Sequence, residues 1–370
     1  MPGDAGRESE GKKTLYWYTR LGKIAVVETV FTRGRGGPAL RPFSASAEVV
    51  CRGCSPALQR AMTDFGADEP FAAAAAKLRE HYGIDVPVSS VRAITEQHGA
   101  AMLAGLPQGS PWPETPGVPR LIAEMDGSMV PRVDTAAPSG GEGPRDRRKT
   151  RQLSWTEARL CLVREPGSVT PCFGATMGSV AAAGDQLWEC AVAAGVGHQT
   201  RIHAVGDGAP WITDQVERTF GTQATYLVDF YHLCDYLAGA AAVVAAPDPA
   251  AWMAVQKTRL KQHRWPAVLN TLRPWAEPDS VEDPEAPVRA CVRYLSNRTG
   301  ALDYRGALVA ELPIGSGEIE SAHRYIIQSR LKRAGTWWSA DNLDHMLALR
   351  VLRANREWEA YWSRVHQQAA

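Results

Sequence analysis

The chain has 370 residues, 45% of them hydrophobic and 22% charged, with a net charge of +1. That length buries a sizeable core and calls for more than one domain, and near-neutrality excludes a globally basic nucleic-acid binder while leaving local clusters to be weighed. No run of 18 or more apolar residues occurs, and the polar start MPGDAGRESEGKK lacks a signal-peptide core, so the expectation is a cytoplasmic protein with no membrane span.

Residues 14–31 (TLYWYTRLGKIAVVETVF) predict a β-hairpin turning at Leu21-Gly22-Lys23, followed by a Gly/Pro loop from Gly34 to Pro42. Of seven cysteines only Cys51 and Cys54 (CRGC) are close together. An odd count argues against a disulfide framework, and one pair falls short of the four ligands of a closed zinc site. Residues 70–103 predict two helices. The first ends at Gly83, and Ser89 or Ser90 caps the second. The pair is helix-turn-helix-like, although the connection IDVPV is longer than the usual tight turn, and an ordinary helical hairpin fits equally well.

Residues 106–120 (LPQGSPWPETPGVPR) read as a Pro-rich linker. LIAEMDG (121–127) is then a strand ending on Asp126. A polar loop (134–150) follows and runs into the basic stretch PRDRRKTR (144–151). Strands are expected at 155–165 and 169–177, a helix at 179–194, and a strand from Arg201 to Asp207. A helix carrying Ile212, Val216 and Phe220 and a strand ATYLVDF (224–230) complete the pattern. Three strands, helix, strand, helix, strand is a mixed α/β sheet. Residues 232–312 are Ala-rich and Pro-broken, predicting three or four inserted helices. GSGEIES (315–321) opens another helix, and a last one runs from Ala340 to Trp362 with Ser339 as cap and Leu343, Met346, Leu347 and Val351 as its apolar stripe.

The acids carry the chemistry. Asp126 and Asp207 both end strands, where the working crevice of such sheets lies. Each alone is equally an ordinary turn or helix-start Asp. Brought together, two carboxylates repel unless a cation sits between them, and Mg²⁺ suits carboxylate oxygen and phosphate. Glu318 and Glu320 are two apart on a helix and point nearly opposite ways, so only one can face such a site. Asp229 and His232 (DFYHL) follow the fifth strand. Three apart at a helix start they face the same side: a neutral His232 can be a metal ligand and a charged one a phosphate contact, or the pair is a capping Asp beside a structural His. Two strand-end Asp and one helix Glu can hold two metal ions for in-line phosphoryl displacement without a side-chain nucleophile.

Asp126-Gly127, GDGAPWI, DFYH, IGSGEIESAHR and RLKRAGTWWS, in this order and with a helical insertion between the second Asp and the Glu, resemble the DDE transposases of bacterial insertion sequences. The similarity is to the ISKra type, akin to the Mutator-like branch with an Asp/Cys-x-x-His motif, and it spans nearly the whole chain. It implies an RNase H-like mixed five-stranded sheet with an all-helical insertion, preceded by an N-terminal β-hairpin and helix-turn-helix-like region. The parts are then an N-terminal DNA-binding region (1–105), a linker (106–120), a catalytic core (121–231), a helical insertion (232–312) and the final core helices (313–370).

The resemblance makes Asp126, Asp207 and Glu320 the catalytic, metal-holding acids, with Glu320 preferred because the family's Glu directly precedes a Ser. It maps the Asp-x-x-His motif onto Asp229 and His232 and puts Arg330, Lys332 and Arg333 near DNA phosphates. It implies two Mg²⁺ or Mn²⁺ ions, and as partners the terminal inverted repeats, target DNA and further copies of the chain. Three readings compete with a transposase: an RNase H-like nuclease that does not join strands, a domesticated DNA-binding regulator that no longer cuts, and a carboxylate-pair glycosidase, which would need neither basic stretches nor metal.

Overall fold

The computed structural model describes residues 8–33, 39–46, 53–135 and 151–368. Most of the Gly/Pro loop after the hairpin, Cys51, and all but the last residue of PRDRRKTR lie outside the described residues. The chain forms two compact units. One comprises Met1–Leu106, Pro131–Trp155 and Ile326–Ala370; the other comprises Pro107–Val130 and Thr156–Tyr325.

The first unit opens with the expected hairpin, β1 (Glu8–Thr19) and β2 (Gly22–Thr32), antiparallel with Thr19 opposite Gly22. The turn therefore sits at Arg20-Leu21, one residue earlier than the sequence suggests, and Gly22 takes φ +114°, which few other residues tolerate. A short helix, Pro42–Ser46, follows, and then three longer ones, Pro56–Asp68, Phe71–Tyr82 and Val88–Ala104. The first of these three escaped the sequence reading, although Ser55 caps it by accepting from Leu58 N and Pro56 fills its first turn. Gly83 ends the second at φ +66°, as expected. Neither Ser89 nor Ser90 caps the third. Pro87 is its N-cap residue, with extended backbone, and the helix already runs from Val88.

The long terminal helix is in fact two, Ala340–Ala354 and Trp358–Gln368, separated where Arg356 adopts φ +63°. The expected stripe residues Leu343, Met346, Leu347 and Val351 are all buried. Helices Val88–Ala104 and Ala340–Ala354 approach so closely that a Cβ on Gly99 would lie 2.6 Å from the carbonyl oxygen of His345. His98 crosses this interior as a neutral ring. Gln59 Nε2 donates to Cys54 O, so Gln59 Oε1 must accept, and His98 Nε2 donates to it at 2.9 Å. His98 Nδ1 then accepts from Tyr361 Oη at 2.7 Å. Burial holds the imidazole down at about 4.

The second unit is built on a five-stranded mixed sheet in the order β5-β4-β3-β6-β7, with β3 Arg120–Thr135, β4 Arg151–Arg164, β5 Cys172–Thr176, β6 Arg201–Gly206 and β7 Ala224–Val228. β3, β6 and β7 run parallel; β4 and β5 pair antiparallel. The mixed α/β class read from the sequence holds. Strand alternation divides the core in two. Leu121, Ala123, Met125, Ile202 and Ala204 pack with Leu187 of helix Val180–Ala193 and Ile212, Val216 and Phe220 of helix Pro210–Phe220. Val205 and Leu227 face the other way, into a core made by residues of helices Phe230–Val244, Pro249–Lys261, Trp265–Leu272, Pro287–Ser296 and Tyr304–Val309. Five α-helices, not three or four, thus lie between β7 and GSGEIES; the shortness of the last, Tyr304–Val309, and the 3₁₀ stretches between them blur their periodicity. The Pro-rich segment after Leu106 is fastened to its own unit. Trp112 stacks on Trp188 at 4.6 Å, and Ser110 donates from N and Oγ to Glu189.

Two outcomes follow for the first unit. Gly99→Ala must push the two helices apart and should cost about 2 kcal/mol, the usual scale of overpacking, read as a lower thermal midpoint. Because His98 binds its proton less tightly folded than unfolded, stability is fully present above pH 6.5. It should fall as the pH drops from there towards 4, by up to about 3 kcal/mol, and His98→Gln should flatten that slope in chemical denaturation.

Candidate functional site

The parallel register sets the site. Glu124 of β3 pairs with Val205 of β6, and Gly206 of β6 pairs with Val228 of β7. Carried on, the same register puts Asp126 level with Asp207, both towards the sheet face of Glu124 and Val205. Asp126 does not end its strand as expected, since β3 runs on through the expected turn to Thr135, and only Asp207, one residue past β6, stands at a strand end. Both are half-buried. Asp126 Oδ1 accepts from Gly127 N at 2.7 Å, and Oδ2 lies 3.3 Å from His323 Nε2. Burial pushes the Asp126 carboxyl up to about 6, and the charges of Asp207, Glu320 and Glu157 push the same way. Glu157 of β4 is pressed close: a Cβ on Gly127 would lie 2.1 Å from its Oε1.

Asp207 sits in a tightly held turn. Its Oδ1 accepts from Ala209 N at 2.7 Å, at the start of helix Pro210–Phe220. Gly208 takes φ +84°, and a Cβ there would lie 2.4 Å from Arg298 Nε. Side chains satisfy the turn's main chain. Tyr294 Oη donates to Asp207 O at 2.5 Å, Arg298 Nε donates to Gly208 O at 2.9 Å, and Gly208 N donates to Tyr226 Oη at 3.0 Å.

Two buried carboxylates grip the GSGEIES turn. Asp229 Oδ2 accepts from both Ser316 N and Ser316 Oγ at 2.6 Å, and Asp229 Oδ1 accepts from Tyr231 N and His232 N. Glu124 Oε2 accepts from Ile319 N at 2.9 Å. Burial pushes the Glu124 carboxyl up to about 8, against the help of that hydrogen bond. Gly315 is required here, since a Cβ would strike the Tyr231 ring at 2.6 Å. The helix Gly317–Ala322 thus begins at a fixed point, and its two acids diverge as the helical period demands. Glu318 pairs with Arg164 Nε at 2.5 Å, while the charge of exposed Glu320 is felt at Asp126.

Of the residues singled out in the sequence, Asp126, Asp207 and Glu320 therefore share one electrostatic neighbourhood. Asp229 does not join them as a ligand; all its capacity is spent on backbone and Ser316. His232 packs its ring against Tyr236 and Tyr294 rather than against Asp229. The basic residues belong to the other unit. Arg330, expected near DNA phosphates, is instead 2% exposed. Its Nε donates to Gly66 O, and its guanidinium lies over Phe71 and Trp338. Arg333 is held by Glu69, by Ser329 O and by Asp68 O. Lys332 is exposed. The sequence reading missed Glu124, Glu157, Ser316 and His323. Glu124 had a signal, an acid two residues before Asp126 and so on the same strand face. Glu157 and His323 had none.

Among the described residues, no three His, Cys, Asp or Glu side chains are gathered tightly enough to hold a metal ion on their own. The donor chemistry nevertheless fits a hard divalent cation. Carboxylate oxygens predominate, and their repulsion is one a cation relieves. Mg²⁺ commonly takes only one or two protein carboxylates and completes its shell with water and phosphate.

The model of an uncharacterised protein family, UPF0236, matches residues 197–365, a stretch that carries Asp207, Asp229, His232 and Glu320 but not Asp126. No curated protein matches the chain.

The acids divide by what removal should do. Asp229→Ala strips the acceptor from four donors in a buried place and should cost several kcal/mol, seen as a large drop in thermal midpoint. Asp126→Asn and Asp207→Asn relieve repulsion and should leave the midpoint unchanged or raised when metal is chelated. A fall as large as that of Asp229→Ala would make them framework residues instead.

Proposed function

We propose that the chain is a DDE-type transposase that cuts the ends of a mobile DNA element and joins them to target DNA. The observation that carries this is the placing of Asp126 and Asp207 level on adjacent parallel strands with the charge of Glu320 reaching them. The ordered resemblance of the surrounding motifs names the reaction class; the carboxylate donors fit the metal it requires.

In this reading Asp126, Asp207 and Glu320 hold Mg²⁺ or Mn²⁺, two ions by the family's precedent. When bound, these ions activate the attacking oxygen and neutralise the leaving one. In the first step water adds to phosphorus at the element end and the P–O3′ bond breaks, leaving a 5′-phosphate and a free 3′-hydroxyl. In the second that hydroxyl attacks a target phosphodiester, forming a new P–O3′ bond and expelling the target's own 3′-oxygen. The chain's residues bind and orient. Glu124 and Asp229 fix the turn that presents Glu320, and the glycines at 127 and 208 leave room for Glu157 and Arg298 beside the two Asp. Two copies would pair the two terminal repeats.

The test uses the full chain with DNA from the flanks of its own reading frame, in Mg²⁺, Mn²⁺ or EDTA. Expected are metal-dependent nicks at the terminal repeats and joined products, both lost in Asp207→Ala and Glu320→Gln and largely kept in Glu318→Gln, whose side chain serves Arg164. Nicks without joined products would make the protein a nuclease; tight binding without any cutting would make it a DNA-binding regulator.

A further inference from the structure

The helical insertion reaches the candidate site at one point. Tyr294 lies in helix Pro287–Ser296 and Arg298 just beyond it. Tyr294 is 5% exposed, its ring stacked on Tyr236 at 4.2 Å with His232 on the flank. Arg298 lies with its guanidinium 4.0 Å from the centre of the Tyr294 ring, and its Nη1 donates to Tyr294 O. The two side chains are thus fixed by each other and by the stack before they touch the turn. From that platform Tyr294 Oη grips Asp207 O and Arg298 Nε grips Gly208 O, while Tyr226 of β7 takes Gly208 N. The carbonyls of two successive residues are held by donors from one rigid aromatic-cation group. Arg298 also fills the space where any Cβ at residue 208 would go.

We infer that Tyr294 and Arg298 are positioning residues: the insertion works as a clamp that fixes the Asp207–Gly208 turn, and with it the aim of the Asp207 carboxylate at a divalent cation. Apart from the clamp, the turn is held by Ala209 N donating to Asp207 Oδ1 and by Gly208 N donating to Tyr226 Oη, and neither bond fixes its two carbonyls. Asp207 follows the last residue of β6, so its carbonyl has left the ladder, and Gly208 contributes no side chain to pack. A carboxylate on a loose turn pays an ordering cost each time it binds a cation; a clamped one has paid it in folding. The inference rests on the reading of Asp207 as a metal ligand.

Two variants spare the packing. Tyr294→Phe removes only the hydroxyl and keeps the stacked ring. Arg298→Lys keeps the charge and loses the Nε donor. Two measurements are made on the full chain. Hydrogen–deuterium exchange of the peptide spanning 203–212, without metal, reads the clamp. Titration with Mn²⁺ reads the aim, with Asp207→Asn as the reference for a lost ligand. Expected is exchange in that peptide about tenfold faster in both variants, exchange elsewhere unchanged, and Mn²⁺ affinity weakened about tenfold, the worth of one hydrogen bond. Unchanged exchange overturns the clamp. Faster exchange with wild-type Mn²⁺ affinity, where Asp207→Asn loses binding, overturns the positioning role. If Asp207→Asn binds Mn²⁺ as the wild type does, Asp207 is no ligand. The metal reading then falls and takes the positioning role with it, and the exchange data still tell whether the clamp exists.

Discussion

Like charge side by side on neighbouring parallel segments, Asp126 within β3 and Asp207 just past the end of β6, is the constraint around which the second unit is arranged. Parallel pairing leaves no freedom in register: with Glu124 opposite Val205, Asp126 and Asp207 must stand side by side. Antiparallel or slipped pairing would separate them or turn one to the other face. Burial is the main cause that raises the Asp126 carboxyl, and in the absence of a counter-charge the charge of Asp207 pushes the same way. A fold that merely sought stability would place an Asn at one position, since a carboxamide makes the same local hydrogen bond to Gly127 or Ala209. Keeping both charges costs stability, and such a cost is characteristic of places where a ligand repays it.

The acids around the sheet end illustrate two uses of one functional group. Asp229 accepts four hydrogen bonds and Glu124 is buried with one, so these carboxylates serve as internal fasteners. Asp207 commits Oδ1 to Ala209 N, and Asp126 commits Oδ1 to Gly127 N. An acceptor whose lone pairs are filled by N–H donors has nothing left for a cation, so the distinction between framework and working acid is drawn by counting donors, not by proximity alone. By this count the Asp-x-x-His motif loses its first member as a ligand and gains a mechanical function: Asp229 is what fixes Ser316, and through it the start of the Glu320 helix.

The legible parts of the fold were those with a period. β6, helix Pro210–Phe220 and β7 stand within a residue or two of their expected ends because short buried strands and a four-residue apolar spacing leave few alternatives. Asp207 and Glu320 were legible because a strand end and a helix start fix where a side chain can go; Asp126 was expected at a strand end and lies instead within β3, whose continuation to Thr135 the Asp-Gly pair concealed. Helix Pro56–Asp68 was overlooked although Leu58, Ala61, Met62 and Phe65 recur at helical spacing and Ser55-Pro56 marks its start. The break at Arg356 was hidden for a different reason: no Gly or Pro marks it, and the apolar spacing continues on either side. Glu157 and His323 depend on which strand lies beside β3 and on where the chain returns after GSGEIES, facts of tertiary structure that local pattern does not contain.

Basic residues were the least legible, because sequence counts charge but not its satisfaction. In RYIIQSRLKRAGTWW, Arg330 is spent on a backbone carbonyl and two aromatic rings, and Arg333 on Glu69. Arg350 and Arg353 of the following helix are likewise bound to Asp64 and Asp68. Desolvating a guanidinium is expensive, and each of these is held by several partners, so turning one outward to a phosphate would break those contacts. Much of the positive charge that suggested a phosphate-binding surface instead ties the terminal helices of the first unit to Pro56–Asp68.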